Sequence, residues 1–384
     1  MSPAADRQRF ARIALSFVAE PGDLMLGALL RACSPAEAFA AICDGRPPEL
    51  ADAAAYGRIG GLGRSIERWA ARLGAVPTKS RLAAWENAGI RVVCPGDPEW
   101  PTQLEVLGDT QPVVMWLCGS ADLRFACLRS VSMVGARAAT AYGTHVAMEM
   151  AAALAERGWT VVSGGAFGID ACAHRGALSA NGVTVAVLAG GLSYGYPQGN
   201  HELFAAIRGQ GVLVSEWPPD RRPTRPGFLV RNRVIAALSC GTVVVEAGLR
   251  SGALSTARHA RDLCRPLMAV PGPVTSQMSE GCHEIIREWS ALCVTTAQDV
   301  IEHVSPAGEG LGARRRGPAY PRDRLDPVST AVLEAVPART GAGPAAIAVA
   351  AGVDLNTAIG SLGALAAAGF VERCARGWRI RKKA

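Results

Sequence analysis

The chain has 384 residues, of which 49% are apolar and 19% charged, with a formal net charge of +7. That length and composition allow two or three domains with a sizeable core, and its frequent but scattered Pro and Gly argue against wholesale disorder. No apolar run approaches a membrane span, the first ten residues lack signal-peptide anatomy, and the 11 cysteines contain no C-x-x-C pair, so reduced, mostly buried thiols in a cytoplasmic protein are expected.

In chain order, residues 1–80 show apolar positions at helical spacing broken by Gly and Pro, which predicts a helical N-terminal domain of SAM or helix-hairpin-helix type. Gly61-Leu62-Gly63 resembles the turn of a helix-hairpin-helix, although a plain turn between core helices is the simpler reading. Short strands are predicted at Arg91–Cys94 and Val113–Leu117. From Ser130 the pattern alternates β and α, with strands at 131–134, 160–162, 183–188, 212–214, 242–245 and 267–270. Alternation of this kind predicts an α/β fold: a Rossmann-like, doubly wound, mostly parallel sheet over residues 81–304, with ligands at the C-terminal strand edges. Residues 305–324 are Gly, Pro and Arg with little apolar content, which predicts a flexible linker. Three short helical patterns and a hairpin at 325–384 predict a C-terminal winged helix, with Asp354 as N-cap of its third helix.

Three stretches of the middle domain carry chemistry. In the first, a strand ends in Val134-Gly135-Ala136-Arg137 before an Ala-rich helix, so backbone amides, a helix N-terminus and a guanidinium converge as a phosphate site would require. No G-x-G-x-x-G follows the strand, and the next strand ends in Ser163-Gly164-Gly165 rather than a ribose-binding acid. There is no Walker motif, and residues 111–304 contain no lysine, so no cofactor is expected. The second stretch, Ser163 to Asp170, again passes from glycines to a helix and offers Ser163 and Gly164 to an anion. Asp170 reads as a cap for that helix, and His174 as a satisfied, half-buried histidine. The third stretch, residues 221–233, holds five arginines and no acid. Pro223 and Pro226 predict an extended start; Arg225, Phe228 and Arg231-Asn232-Arg233 at a helix start then combine phosphate contact with base stacking, as a single-stranded nucleic-acid groove needs. Glu216 and Glu246 both end strands, but pairing them as acid and base needs a separation the sequence does not supply. Cys282, His283 and Cys293 are not spaced to complete a metal site.

The positive excess is concentrated after residue 304, where 12 basic side chains stand against 6 acidic ones. Yet the presumed recognition helix, 355–368, has no Lys or Arg. The cations lie instead at Arg373, Arg376, Arg379, Arg381, Lys382 and Lys383. Sequence-independent phosphate contact, or a protein-protein role, fits this better than operator recognition.

Taken in register, these motifs resemble the DNA-processing protein A family (DprA, also called Smf). They are Val134-Gly135-Ala136-Arg137 with Tyr142-Gly143, then Ser163-Gly164 to Asp170 with Ala173-His174, Tyr196-Pro197 and Asn200. Ser215-Glu216, Phe228 with Arg231-Asn232-Arg233, Glu246-Ala247 with Ser251-Gly252, and Val270-Pro271-Gly272 complete the set. The resemblance implies a non-enzymatic protein that binds single-stranded DNA and loads RecA recombinase onto it, as in natural transformation. It also implies a homodimer joined through the Rossmann-like domain, with Arg137 and Arg231, Asn232 and Arg233 on DNA. Phe167 stands where many relatives carry a basic residue; either it stacks on a base or the arm at Arg221–Arg225 compensates. The rival class, a nucleoside-monophosphate phosphoribohydrolase of the same superfamily, would need P-G-G-x-G-T-x-x-E where residues 251–258 lack two glycines and the glutamate. A winged-helix transcription regulator is the third reading.

Overall fold

The structure is a computed structural model that describes residues 3–48, 61–312, 317 and 320–381. They form two compact units, residues 1–312 and 313–384. In the first, β1 (Ile90–Val93), β2 (Met115–Gly119), β3 (Ser130–Val134), β4 (Thr160–Ser163), β5 (Thr184–Leu188), β6 (Val212–Ser215), β7 (Gly241–Val244), β8 (Leu267–Ala269) and β9 (Leu292–Cys293) make one sheet. Its order is β1-β2-β6-β5-β4-β3-β7-β8-β9. Strands β6 to β9 along that order run parallel, whereas β1 and β2 join at the edge antiparallel.

The β-branched runs of β3 to β8 are buried at every position, as a parallel sheet covered on both faces requires. From β3 the chain builds outward through β4, β5 and β6, then returns to place β7 on the other side of β3. The topological switch point therefore lies between β3 and β7, where Val134 pairs with Val244.

Helices α1 (Pro3–Val18), α2 (Leu24–Ala32), α3 (Pro35–Asp44) and α4 (Leu62–Ala70) precede the sheet, and α5 (Lys79–Asn87) leads into β1. Asp23 caps α2, and a Ser34–Glu37 capping box opens α3. These helices have their own core around Leu15, Leu29, Ile42, Ile66 and Trp69. They also meet the sheet through Phe17, Trp85 and Trp116, with ring centroids 5.6–6.1 Å apart. The turn at Gly61 has left-handed φ and opens α4; residues 49–60, the other arm of any helix-hairpin-helix, lie outside the described residues.

The sheet is sandwiched by α6 (Leu123–Leu128), α7 (Ala141–Ala155), α8 (Ile169–Ser179), α9 (His201–Gln210), α10 (Arg225–Leu238), α11 (Ala253–Asp262), α12 (Glu280–Glu288) and α13 (Ala297–Val304). Helices α7 and α8 cross closely at Gly176, where a Cβ would stand 2.3 Å from the Met148 carbonyl oxygen. The first part of the expected flexible linker is not free. Gln298 Nε2 donates to the Gly310 carbonyl at 2.6 Å, and Glu302 accepts from the Gly312 amide at 2.8 Å, so residues up to 312 fold back on α13. Such hydrogen bonds are illegible in the sequence because each joins the segment to a side chain of another element.

The second unit contains α14 (Pro327–Ala335), α15 (Pro344–Ala351), α16 (Leu355–Ala367) and a hairpin of β10 (Val371–Cys374) with β11 (Gly377–Ile380). Asp354 caps α16 through the Thr357 amide at 3.0 Å. Lys382 and Lys383 lie outside the described residues. No single described helix is long and apolar enough to cross a membrane.

Candidate nucleic-acid interface

A cleft of about 750 Å³ opens at the switch point, between the loop after β3, the loop after β7 and the first turns of α10. The exposed Arg137 guanidinium lies over the Phe228 ring, 4.9 Å from its centroid, and Tyr196 meets the same ring edge-on at 5.8 Å. Arg225 and Arg250 stand exposed at the same cleft, and among the described residues neither has an acid partner. Three cations interleaved with two rings form a surface suited to phosphate and base together.

The helix N-termini do not supply the anion site that the strand-end motifs predict. Glu246 of the β7 loop sits at the start of α7, where its carboxylate accepts from the Thr140 amide at 2.9 Å and from Thr140 Oγ1 at 2.6 Å. The Ala136 amide donates to the Glu246 carbonyl at 2.7 Å. At the second loop, Asp170 accepts from the Gly164 amide at 3.2 Å and the Ala166 amide at 3.4 Å. Both cradles are thus occupied by the protein's own carboxylates, because buried amides need acceptors whether or not a ligand is present. Gly135 lines the cleft but serves packing: a Cβ there would stand 2.6 Å from Ile169 Cγ1. Ser163 is fully buried and donates to the Met133 carbonyl at 2.6 Å. Gly164 leaves room for the Arg231 guanidinium, 2.4 Å from where its Cβ would be.

The Arg231-Asn232-Arg233 motif is corrected in place and in orientation. Thr224 caps α10, which already begins at Arg225 with Pro226 in its first turn, so the motif lies about two turns inside the helix. Successive residues there point about 100° apart, so the three cannot face one strand. Arg231 is 7% exposed and its Nη1 donates to the Gly164 carbonyl at 2.6 Å and to the Val187 carbonyl. Burial pushes its pKa down to about 10, with Asp170 opposing and Arg137 assisting. Asp170 is raised by burial, against the pull of Arg231 and the loop amides. Asn232 donates to the Gly252 carbonyl at 3.3 Å, tying α10 to the β7 loop. Arg233 leaves the cleft altogether; it pairs with Glu216 at 2.8 Å and lies beneath Gly22 of the N-terminal helices.

Glu216 and Glu246 are therefore engaged separately and are no acid–base couple. His174 is wholly buried rather than half-buried: its Nδ1 bonds Thr184 Oγ1 at 2.7 Å while Nε2 has no partner, and burial takes its pKa down to about 3. Phe167 is 49% exposed, rests against Gly199 and stands outside the cleft lining. Tyr196 and Arg250 were not singled out as site residues from sequence. The signals for them are Tyr196-Pro197 within the family motifs and, for Arg250, its place before Ser251-Gly252 past a parallel strand end.

A doubly wound sheet with a cation- and ring-lined cleft at its switch point defines the class as Rossmann-like, with the candidate site where that fold places its ligands. The chain belongs to the DNA recombination-mediator protein A family, whose model matches residues 91–305. It is 43% identical to a putative DNA processing protein DprA of Mycobacterium tuberculosis, over 95% of this chain and 92% of that one. Among solved structures it resembles DprA of Streptococcus pneumoniae, with a TM-score of 0.60 and 29% identity over 77% of this chain and 96% of that one. It also resembles DNA processing protein A of Helicobacter pylori, a structure described for its single-stranded DNA binding mode, with a TM-score of 0.50 and 29% identity over 55% of this chain and 93% of that one.

Proposed function

We propose that this protein is a single-stranded DNA-binding recombination mediator: it holds the strand at the Arg137 cleft and loads RecA onto it, as a cytoplasmic homodimer and without enzymatic turnover. The observation that carries the reading is the exposed Arg137 guanidinium on the Phe228 ring, flanked by Tyr196 and Arg225. Phosphate energy comes from Arg137, Arg225 and Arg250, and base energy from the rings, so affinity depends on salt and little on sequence. Gly135, Ser163, Gly164, Arg231 and Asn232 act from beneath, holding the loops that present these groups, Arg233 ties the same helix to Glu216, and Phe167 offers a further ring outside the cleft lining.

The C-terminal unit is read as a winged helix that adds sequence-independent contacts, since the exposed face of α16 carries no cation. Catalysis is disfavoured because the carboxylate lining the cleft, Asp170, is buried and held by loop amides. The test is single-stranded DNA affinity combined with RecA filament formation on strands coated by single-strand-binding protein. Binding with accelerated filament growth is expected. Release of free base from nucleoside monophosphates, or salt-independent affinity for one duplex sequence, would overturn the reading in favour of a hydrolase or a regulator.

A further inference from the structure

The aromatic and basic surface continues past the cleft. Residues 218–224 run along the loop after β5, pinned by the Gly191 amide to the Arg221 carbonyl at 2.7 Å and by the Ser193 amide to the Pro219 carbonyl at 3.0 Å. A Cβ at Gly191 would stand 2.0 Å from the Pro219 carbonyl oxygen, so the two segments are in contact along this line. The pairing brings Arg222 over the Tyr194 ring, 5.7 Å from its centroid. Arg222 is exposed and has no acid partner among the described residues, while Tyr194 is 41% and Tyr196 48% exposed. Tyr194 lies at most about 7 Å of backbone from Tyr196, and Arg222 at most about 11 Å from Arg225.

Resting on the single-strand reading of the cleft, we propose that Tyr194 and Arg222 form a second subsite for single-stranded DNA, taking the next base and phosphate after the Phe228–Tyr196 position. A guanidinium over a ring leaves the other face of that ring and the outer edge of the cation for a nucleotide. The track ends there for a reason of charge. The next arginines, Arg221 and Arg81, are matched by Glu20 at 3.3 Å and Asp220 at 2.7 Å. The hollow of about 550 Å³ that they border, beside α1, also holds Arg72 paired with the same Glu20, so it offers little uncompensated charge to a phosphate.

The test uses the full chain and labelled thymidylates of a single nucleotide, which fills one position, and of about 10 nucleotides, which spans both. Wild type is expected to bind the longer strand more tightly per end-label. Tyr194→Ala with Arg222→Ala is expected to lower long-strand affinity roughly 5- to 10-fold, leave short-strand affinity unchanged, and keep the melting temperature. Full long-strand affinity in the double variant overturns the subsite, as does an equal loss for both lengths in a protein of unchanged melting temperature. If wild type binds neither length, the reading of the cleft itself fails and takes the subsite with it; if it binds only the cleft-length strand with no gain from length, the subsite alone fails.

Discussion

The rim of the cleft and the layer just beneath it are built from the same residue types and behave in opposite ways. Arg137 and Arg225 on the rim are exposed and carry no acid partner, with Arg137 lying on a ring. Arg231 beneath, and Arg233 on another side of the same helix, are 7% and 5% exposed, and each bonds protein oxygens. A buried guanidinium must be matched by fixed acceptors or a nearby carboxylate, so it becomes part of the scaffold. An exposed one without a partner keeps its charge for a ligand. Arginine in a strand-end motif is thus no measure of contact with DNA; burial decides which role it takes.

The comparison breaks most visibly at Arg231. Arg231→Ala leaves Asp170 buried without its cation and two carbonyls without their donor, and is expected to cost about 3–5 kcal/mol in a denaturant melt. An equally small effect at Arg231 and Arg137 would place Arg231 on the surface. A second probe of the buried layer is pH. The folded pKa of His174, about 3, lies below its ordinary 6.5, so the unfolded chain takes up the proton first. The stability that this group contributes is complete above pH 6.5 and is lost towards pH 3, at roughly 1.4 kcal/mol per unit. Melts between pH 7 and 4 are expected to show this slope, and His174→Gln, which does not titrate, is expected to flatten it by one proton.

On the rim, Arg137→Ala is expected to weaken single-stranded DNA binding about 10- to 100-fold, the loss of a charge-assisted contact, while stability stays within about 0.5 kcal/mol. Gel-shift titration beside a thermal melt reads both at once. The smallest effect is expected at Arg250. Arg250→Ala should reduce the slope of log affinity against log salt by roughly 0.7, the value for one phosphate contact on a single strand. An unchanged slope would remove Arg250 from the rim set.

Most of the sheet was legible. The expected strands at 131–134, 160–162 and 212–214 fall within β3, β4 and β6, because short β-branched runs bounded by Gly, Ser or Glu have few other folded solutions. The two exposed residues of β9 are too short to show a period, and that strand went unread. Nor could the sequence show that β2 pairs antiparallel with both β1 and β6, since β2 and β6 lie far apart in the chain. At the site, Arg137, Arg225 and Phe228 were found by residue type and position. Arg231, Asn232 and Arg233 were found as a motif but assigned the wrong surroundings, since helix phase and depth are not properties of a tripeptide.

The amino-acid order by itself determined the doubly wound class, the positions of most strand ends, and the family, because periodicity and motif spacing are local and additive along the chain. Only the tertiary structure decided which cations are free. Asp170 and Glu246 fill the two backbone cradles from within, and Arg231 locks one of them from below. That outcome depends on which groups meet in a low-dielectric interior where an unpaired polar atom is costly, and such meetings are fixed by contacts across the fold.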